Sequence, residues 1–107
     1  MRIEIYFKDP GLDGRALKLA DALRTSVSAS IESIAIADIY LTDYSNLDET
    51  TALEIFSDPV AQSACFNEAL AAKTPDNWQY LFEISYKTGV ANPTAITAKT
   101  AIEAACG

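Results

Sequence analysis

The sequence contains no histidine, only two cysteines, and eight basic residues against fifteen acidic ones. The lack of histidine removes the usual general base, most zinc ligand sets and the Ser-His and Cys-His nucleophile pairs. Cys65 and Cys106 belong to no CxxC pair, and two isolated cysteines do not form a disulfide framework. Reduced thiols are the rule in the cytosol, so a cytoplasmic location is expected.

The charge balance and the absence of long apolar runs exclude two further classes of protein. A net charge of −7 repels phosphate backbones and anionic lipid surfaces, so we expect no nucleic acid and no membrane as a partner. No apolar run approaches the roughly 18 residues of a membrane-spanning helix, and the alternating start is not a signal peptide. What remains is a chain of 107 residues, half of them hydrophobic, which suits one small domain.

The first 30 residues predict a strand followed by a helix. Residues 2–8 alternate strictly, which is typical of a strand with one buried and one solvated face. Asp13 is a suitable N-cap for the helix that follows. The strand positions predicted to be buried are Ile3, Ile5 and Phe7, and those predicted to face solvent are Arg2, Glu4, Tyr6 and Lys8. The helix is predicted to carry an apolar stripe of Leu12, Ala16, Leu19, Leu23 and Val27.

Further elements follow along the chain. Residues 31–42 are β-rich but switch parity near Asp38, which indicates either a bulge or a tight turn between two short strands. Asp48 or Thr50 can cap a second helix, and residues 64–70 predict a weaker strand. Residues 80–87 alternate again and predict a strand. Asn92 followed by proline is a helix start, and that helix runs to the end of the chain.

The strand and helix at the start return near the end of the sequence. Shifting the chain by 79 positions aligns Glu4 with Glu83, and it also superposes Ile5 on Ile84 and Lys8 on Lys87. The two predicted N-caps, Asp13 and Asn92, coincide as well. Internal repeats are informative about architecture. We therefore divide the chain into a complete module, residues 1–72, and the opening strand and helix of a second one, residues 78–107.

The sequence carries no catalytic, cofactor or metal motif of its own. A Gly-rich phosphate loop, a metal-ligand cluster and a nucleophile motif are all missing from it. Four acidic residues around the second helix are of the type that binds magnesium, but capping and solvation explain them better. These residues are Asp43, Asp48, Glu49 and Asp58.

Two kinds of residue are candidates for a protein interface. Lys8 and Lys87 end matching strands, where they either meet a partner's anion or remain solvated charges that discourage edge pairing. Trp78, Tyr80, Phe82 and Tyr86 form an aromatic group on or before one strand. Core packing is the default for such a group, and an interface is the alternative because Trp and Tyr are favoured there.

Three passages resemble the small, PurS-type subunit of phosphoribosylformylglycinamidine synthase. Residues 3–8 (IEIYFK), with the Gly-Leu-Asp turn at 11–13 and an Ala-Leu helix, resemble the start of that subunit. Residues 56–62 (FSDPVAQ) are similar to a DPV-x-Q passage of forms fused to the large chain. Residues 82–92 (FEISYKTGVAN) resemble the EV-x-(Y/F)-KPGVTDN passage that opens a second such unit there. Thr88, Ala91 and Pro93 depart from this last pattern.

The resemblance implies an α+β, ferredoxin-like fold with helices on one face of an antiparallel sheet, here with the first strand and helix of a second unit. It implies a module that is non-catalytic alone, within an ATP-dependent carbon–nitrogen ligase of purine biosynthesis. In that family the module bridges the synthetase and glutaminase parts and assists ammonia transfer, while ATP and magnesium belong to the synthetase part. Small subunits of this type self-associate, so a homo-oligomer is expected, and the chain is interpreted as the front of a longer polypeptide.

Two other functions remain open from the sequence. One is a regulatory ferredoxin-like domain that binds a small ligand between paired subunits. The other is a small enzyme that uses aspartate and lysine, which would require a pocket that gathers several perturbed charges. No such gathering can be located from the sequence, so the small enzyme ranks last.

Overall fold

The computed structural model describes residues 1–43, 46–73, 78–85 and 92–106. These residues form an α+β structure with three strands and four α-helices. A single 3-10 turn, Pro10–Leu12, precedes the first helix. The strands are β1 (Arg2–Phe7), β2 (Ala37–Leu41) and β3 (Gln62–Phe66), and the helices are α1 (Gly14–Ser26), α2 (Glu49–Phe56), α3 (Leu70–Lys73) and α4 (Pro93–Cys106).

The three strands form one antiparallel sheet in the order β2-β1-β3. β1, predicted from its alternation, lies in the centre and pairs with both neighbours. Ile3 faces Tyr40 of β2 on one side and Phe66 of β3 on the other. Because α1 lies between β1 and β2 in the chain and α2 lies between β2 and β3, the sheet is assembled from segments that are distant in sequence.

The core lies on the face of β1 that carries Ile3 and Ile5. Both side chains are buried, Ile5 being 2% exposed. They pack with Leu47 and with Ala52 of α2, and Ile102 of α4 closes the same cluster. The predicted inward positions Ile3 and Ile5 are therefore confirmed. Burial of their apolar surface is the main stabilising term of such a core.

The opposite face of β1 was predicted to be wet, and this is wrong for Glu4. Its side chain is only 5% exposed. The Arg2 Nε donates to a Glu4 carboxylate oxygen at 3.0 Å, and the backbone N–H of Leu70 donates to the other at 3.3 Å. The chain that enters α3 covers this position, so a charged residue that alternation places outside is enclosed and hydrogen-bonded.

Helix α1 begins where the sequence predicts, and its predicted apolar stripe is buried only in part. Asp13 accepts hydrogen bonds from the backbone N–H groups of Arg15 and Ala16, which confirms the N-cap. The buried residues of the helix are Ala16 and Ala20. The predicted stripe is confirmed at Ala16, and Leu23 is half-buried. Leu12, Leu19 and Val27 are exposed.

The β-rich stretch at 31–42 contributes one strand, β2, and residues 31–36 form no strand. The change of parity near Asp38 therefore marks neither a bulge nor a turn between two strands. β3 occupies residues 62–66 instead of the predicted 64–70, because Asn67 adopts a left-handed conformation with φ of 55°. Asn tolerates that region better than most residues, and it ends the strand before α3.

The C-terminal repeat is half confirmed. Asn92 accepts a hydrogen bond from the Ala95 N–H at 3.1 Å, so the predicted N-cap of α4 is correct. The predicted strand at 80–87 is wrong over its described part, since residues 80–85 form no strand. Ile102 of α4 packs in the core of β1, so this helix lies on the first module. The proposed division into two units stays a prediction.

The cap of α2 gives the first testable prediction, on acid stability. The Thr51 backbone N–H donates to the Asp48 carboxylate at 2.7 Å, and this bond holds the pKa of Asp48 below its usual value. A lowered folded-state pKa adds stability above the unfolded-state value of about 3.9, which is lost as the pH falls through the folded-state pKa. We expect Asp48→Asn to lower the urea midpoint at pH 7, and the gap to close in acid.

The matched control for this measurement is Glu32→Gln. It removes the same charge from an exposed side chain whose carboxylate makes no hydrogen bond among the described residues. Between pH 7 and pH 2, the urea midpoints of this variant and of the parent should change with pH in the same way. A gap for Asp48→Asn that persists unchanged below pH 2 would contradict the role of the ionised carboxylate.

Candidate functional site

Residues 78–85, here called the exposed segment, carry a run of apolar side chains outside the core. Tyr80, Phe82 and Ile84 are 82%, 81% and 92% exposed, and Leu81 is also exposed. Large apolar side chains that lie together in solvent mark interaction sites more often than isolated ones do. The core-packing interpretation of the aromatic group is therefore wrong for Tyr80 and Phe82, and the interface alternative stays a prediction.

The exposed segment is held to the rest of the protein by two side-chain contacts among the described residues. The Trp78 indole N–H donates to the carbonyl oxygen of Ala71 at 2.9 Å. A guanidinium nitrogen of Arg2 lies 3.4 Å from a carboxylate oxygen of Glu83. The first contact ties the start of the segment to α3, and the second ties its far half to the beginning of β1.

Arg2 links the exposed segment to the buried Glu4. Its Nε bonds to Glu4 at 3.0 Å while its Nη1 reaches Glu83. The hydrogen bond to Glu4, and then the one to Glu83, raise the pKa of Arg2 above its ordinary value. The two glutamates are the residues that the internal repeat aligns, so one arginine binds both copies of the same position. Sequence reasoning missed Arg2 as a site residue; a basic residue two positions before Glu4 was the available signal.

Next to Glu4, on the same face of the sheet, lies the thiol of Cys65. The register pairs Cys65 with Glu4, and the cysteine is buried. Burial raises the pKa of the Cys65 thiol, which the Lys73 charge offsets only in part. A thiol with a raised pKa is mostly protonated near neutral pH and is a poor nucleophile. Cys65 is thus a core residue, as a small buried cysteine usually is.

The remaining predicted interface residues fall in different places. Lys8 donates from its Nζ to the carbonyl oxygen of Pro59 at 2.8 Å, so it fastens the end of β1 to the turn before β3. Trp78 and Tyr80 lie together in the exposed segment. Tyr86 and Lys87 lie outside the described residues. The structure therefore unites two of the five predicted residues and places Lys8 elsewhere.

Where their contacts are known, the acidic residues considered for magnesium cap a helix or stabilise a turn. Asp48 caps α2, and the Asp58 carboxylate accepts from the Val60 backbone N–H at 3.0 Å. Within the described ranges, no group of three or more acidic or cysteine side chains is arranged to hold a metal ion.

A shallow cleft of about 360 Å³ lies between β2, α2 and α4. Tyr40 stacks on Phe56 at its base, with ring centroids 4.3 Å apart. Pro93 and Thr97 of α4 form the opposite wall. Desolvation, with a smaller contribution from the neighbouring Asp38, raises the pKa of Tyr40. Asp38 itself forms a two-bond ion pair with Arg15 of α1, at 2.8 and 3.1 Å. The two charged groups that act on Tyr40 are therefore paired with each other.

None of the helices in the described part of the chain is long and apolar enough to cross a membrane. The comparisons with known proteins identify no relative. No family model matches the sequence, and no curated protein and no solved structure is significantly similar to it.

Proposed function

We propose that this chain is a non-catalytic assembly module that docks other protein parts through the exposed segment. The particular assembly is that of a cytoplasmic phosphoribosylformylglycinamidine synthase, in which the module joins the synthetase and glutaminase parts and assists ammonia transfer. The observation that carries the docking role is the solvent-exposed apolar run of Tyr80, Leu81, Phe82 and Ile84. The choice of enzyme rests on the three passages that resemble the small PurS-type subunit.

The strand order supports the ferredoxin-like part of the proposal. In a β-α-β-β-α-β unit of that type, the first strand lies between the third and fourth strands and is antiparallel to both. β1 lies between β2 and β3 in that way, with α1 and α2 in the corresponding connections. Residues 31–36 stand where the remaining edge strand of such a unit would be, and they form no strand here.

The charged side chains cap helices or form ion pairs, and these structural roles support a module that carries out no chemistry of its own. Asp13 and Asp48 cap helices, while Arg15 and Asp38 join α1 to the sheet. Glu4 is enclosed with Arg2 as its partner. These side chains hold the fold together, whereas the apolar groups of the exposed segment are available for contact with another protein. ATP and magnesium would then be held by the synthetase part.

The test is a pull-down of the chain with the synthetase and glutaminase polypeptides of the same enzyme, together with glutamine-dependent turnover. We expect co-purification, and a fall in both binding and turnover of at least tenfold when Ile84 is changed to Asp, because a charge would then enter an apolar interface. Val60→Asp is the control, since Val60 is 85% exposed in a turn remote in sequence from the segment. No association of the parent chain, with unchanged turnover, would sink the proposal.

The Tyr40–Phe56 cleft favours a second candidate, a regulatory domain that binds a small ligand. The cleft is lined by apolar and aromatic side chains with two threonines, Thr94 and Thr97, and such a mixture of many apolar and few polar groups is found in ligand sites. A thermal-shift screen separates the two functions, because a ligand that binds the folded state raises the melting temperature. A metabolite that raises it in the parent but not in Tyr40→Ala would favour this candidate.

A further inference from the structure

We infer that the Tyr40–Phe56 cleft binds a small, uncharged aromatic compound of one or two rings that carries a hydrogen-bond donor. This gives the second candidate function its class of ligand, and it rests on that candidate. The exposed segment takes no part in it, because none of its residues is among the described residues that line the cleft. Docking through the segment and binding in the cleft are therefore separate properties of the same chain.

The cleft exists because small side chains on α4 face larger ones on α2 and β2. Ala98 and Ala101, three positions apart on one face of α4, line one side, while Ile55 and Phe56 line another. Since alanine ends at Cβ, a gap of about 360 Å³ remains between these elements. That volume lies near the lower end of the range of roughly 300–1,000 Å³ for small-molecule sites, so it suits one or two rings.

The base of the cleft is a pair of aromatic rings held in place by the core. Tyr40 and Phe56 are stacked, with ring centroids 4.3 Å apart and planes inclined by 20°. Both pack against the buried cluster that contains Ile3 and Ile5. Both are only half-buried, so part of their apolar surface still meets solvent. An aromatic ligand that stacks on them or meets them edge-on buries that surface without moving the pair.

The charges around the cleft favour an uncharged ligand. The described residues that line it are all uncharged. Arg15 and Asp38, the charged groups that act on Tyr40, are paired with each other at 2.8 and 3.1 Å. An ionic ligand would lose water on entering the cleft and gain no opposite charge in return, which is unfavourable. Carboxylates, phosphates and ammonium ions should therefore bind more weakly than a neutral ring.

Thr97 determines which polar group the ligand should carry. Its hydroxyl donates to the carbonyl oxygen of Pro93, one turn earlier in α4, at 3.0 Å. A hydroxyl has one donor and two acceptor lone pairs, so the Thr97 oxygen can still accept a hydrogen bond but has no further hydrogen to give. Because Thr97 lines the cleft, it is matched by a ring N–H or O–H on the ligand. Indole and phenol are simple compounds with these features.

The experiment titrates the isotope-labelled full chain with indole and follows the backbone amide signals by NMR. We expect saturable shifts of the signals from Ile55, Phe56 and the first turns of α4, with a dissociation constant of about 1 mM or lower, as suits so small a ligand. Benzoate, which adds a charge to the ring, should bind at least tenfold more weakly. N-methylindole, which keeps the rings but lacks the donor, should bind at least threefold more weakly.

Three variants test the walls of the cleft. Ala98→Leu should weaken indole binding at least tenfold, because the larger side chain fills the gap. Ala95→Leu is the matched control, since it adds the same group at an exposed position of α4 that does not line the cleft, and it should bind as the parent does. Thr97→Val removes the acceptor and nearly keeps the shape, so it should bind indole and N-methylindole equally. The circular dichroism spectrum of each variant checks its fold.

Three results would overturn the inference. These are a parent chain whose signals do not move at about 10 mM indole, a folded Ala98→Leu variant that binds indole as tightly as the parent, and benzoate that binds as tightly as indole. A compound of another class that raises the melting temperature of the parent but not of Tyr40→Ala would then keep the second candidate function with a different ligand. Docking is measured by the pull-down, which none of these results affects.

Discussion

Ile5→Ala should lower the free energy of unfolding by about 3 kcal/mol, because it removes three buried carbon atoms and leaves a cavity that the sheet and helices cannot close. Ile5, on the central strand, is 2% exposed and belongs to the core cluster that includes Leu47, Ala52 and Ile102. In a domain of this size, a loss of that magnitude lowers the melting temperature by roughly 15 °C.

Urea titration monitored by circular dichroism measures this loss. Ile5→Val, which removes a single methyl group, should cost about 1 kcal/mol, and Val60→Ala, at an exposed position, less than about 0.5 kcal/mol. The three variants therefore form a graded series. Equal small losses for Ile5→Ala and Val60→Ala would show that Ile5 does not lie in the core.

Arg2→Met should clearly lower the stability of the protein through its effect on Glu4. The Glu4 carboxylate, 6% exposed, would keep only its bond from the Leu70 N–H once the guanidinium is gone. A buried charge that loses its partner costs about 1–3 kcal/mol or more, and Arg2, at 30% exposure, places this pair between a surface and a buried one. The measurement is again the urea midpoint at neutral pH.

Two companion variants identify the cause of the loss. Arg2→Met combined with Glu4→Gln should regain most of the stability, because the glutamine is neutral and can still accept from the Leu70 N–H. Glu83→Gln, which breaks the exposed contact alone, should cost no more than about 0.5 kcal/mol. If the double variant is no more stable than Arg2→Met, the enclosed charge of Glu4 is not what Arg2 stabilises.

Local signals predicted the parts of this fold that local chemistry determines. Asp13, Asp48 and Asn92 cap helices because a short polar side chain reaches the free N–H groups of the next turn, wherever the helix then packs. The alternation of β1 likewise fixes which side chains share a face. These features depend on residues that are only a few positions apart, and a sequence shows such short spacings directly.

The failures share a dependence on distant segments. Residues 80–85 alternate like β1, but a strand exists only when another edge accepts its hydrogen bonds, and alternation does not name that edge. Glu4 is enclosed by Arg2 and by the chain at Leu70, far along the sequence. Helix α1 buries Ala16 and Ala20 while Leu19 is exposed, which hydrophobicity alone does not predict.

The candidate site was predictable only in part, because its exposure depends on how distant segments of the chain pack. Aromatic residues at 78–82 indicated either a core or an interface, and only the packing of the remaining chain excludes Tyr80 and Phe82 from the core. Arg2 was not predicted as a site residue, because its role is to bind two glutamates, Glu4 and Glu83, that lie 79 positions apart in the sequence.

The central place of β1 also bears on how the protein folds during synthesis. β1 precedes its partners in the chain: the strands that pair with it are residues 37–41 and 62–66, and Ile102 of its core follows still later. Contacts between such distant residues carry a loop-closure cost and slow folding. On the ribosome, Leu47 and Ala52 therefore become available to cover Ile3 and Ile5 before Ile102 does, and the core around β1 is complete only after α4 has emerged.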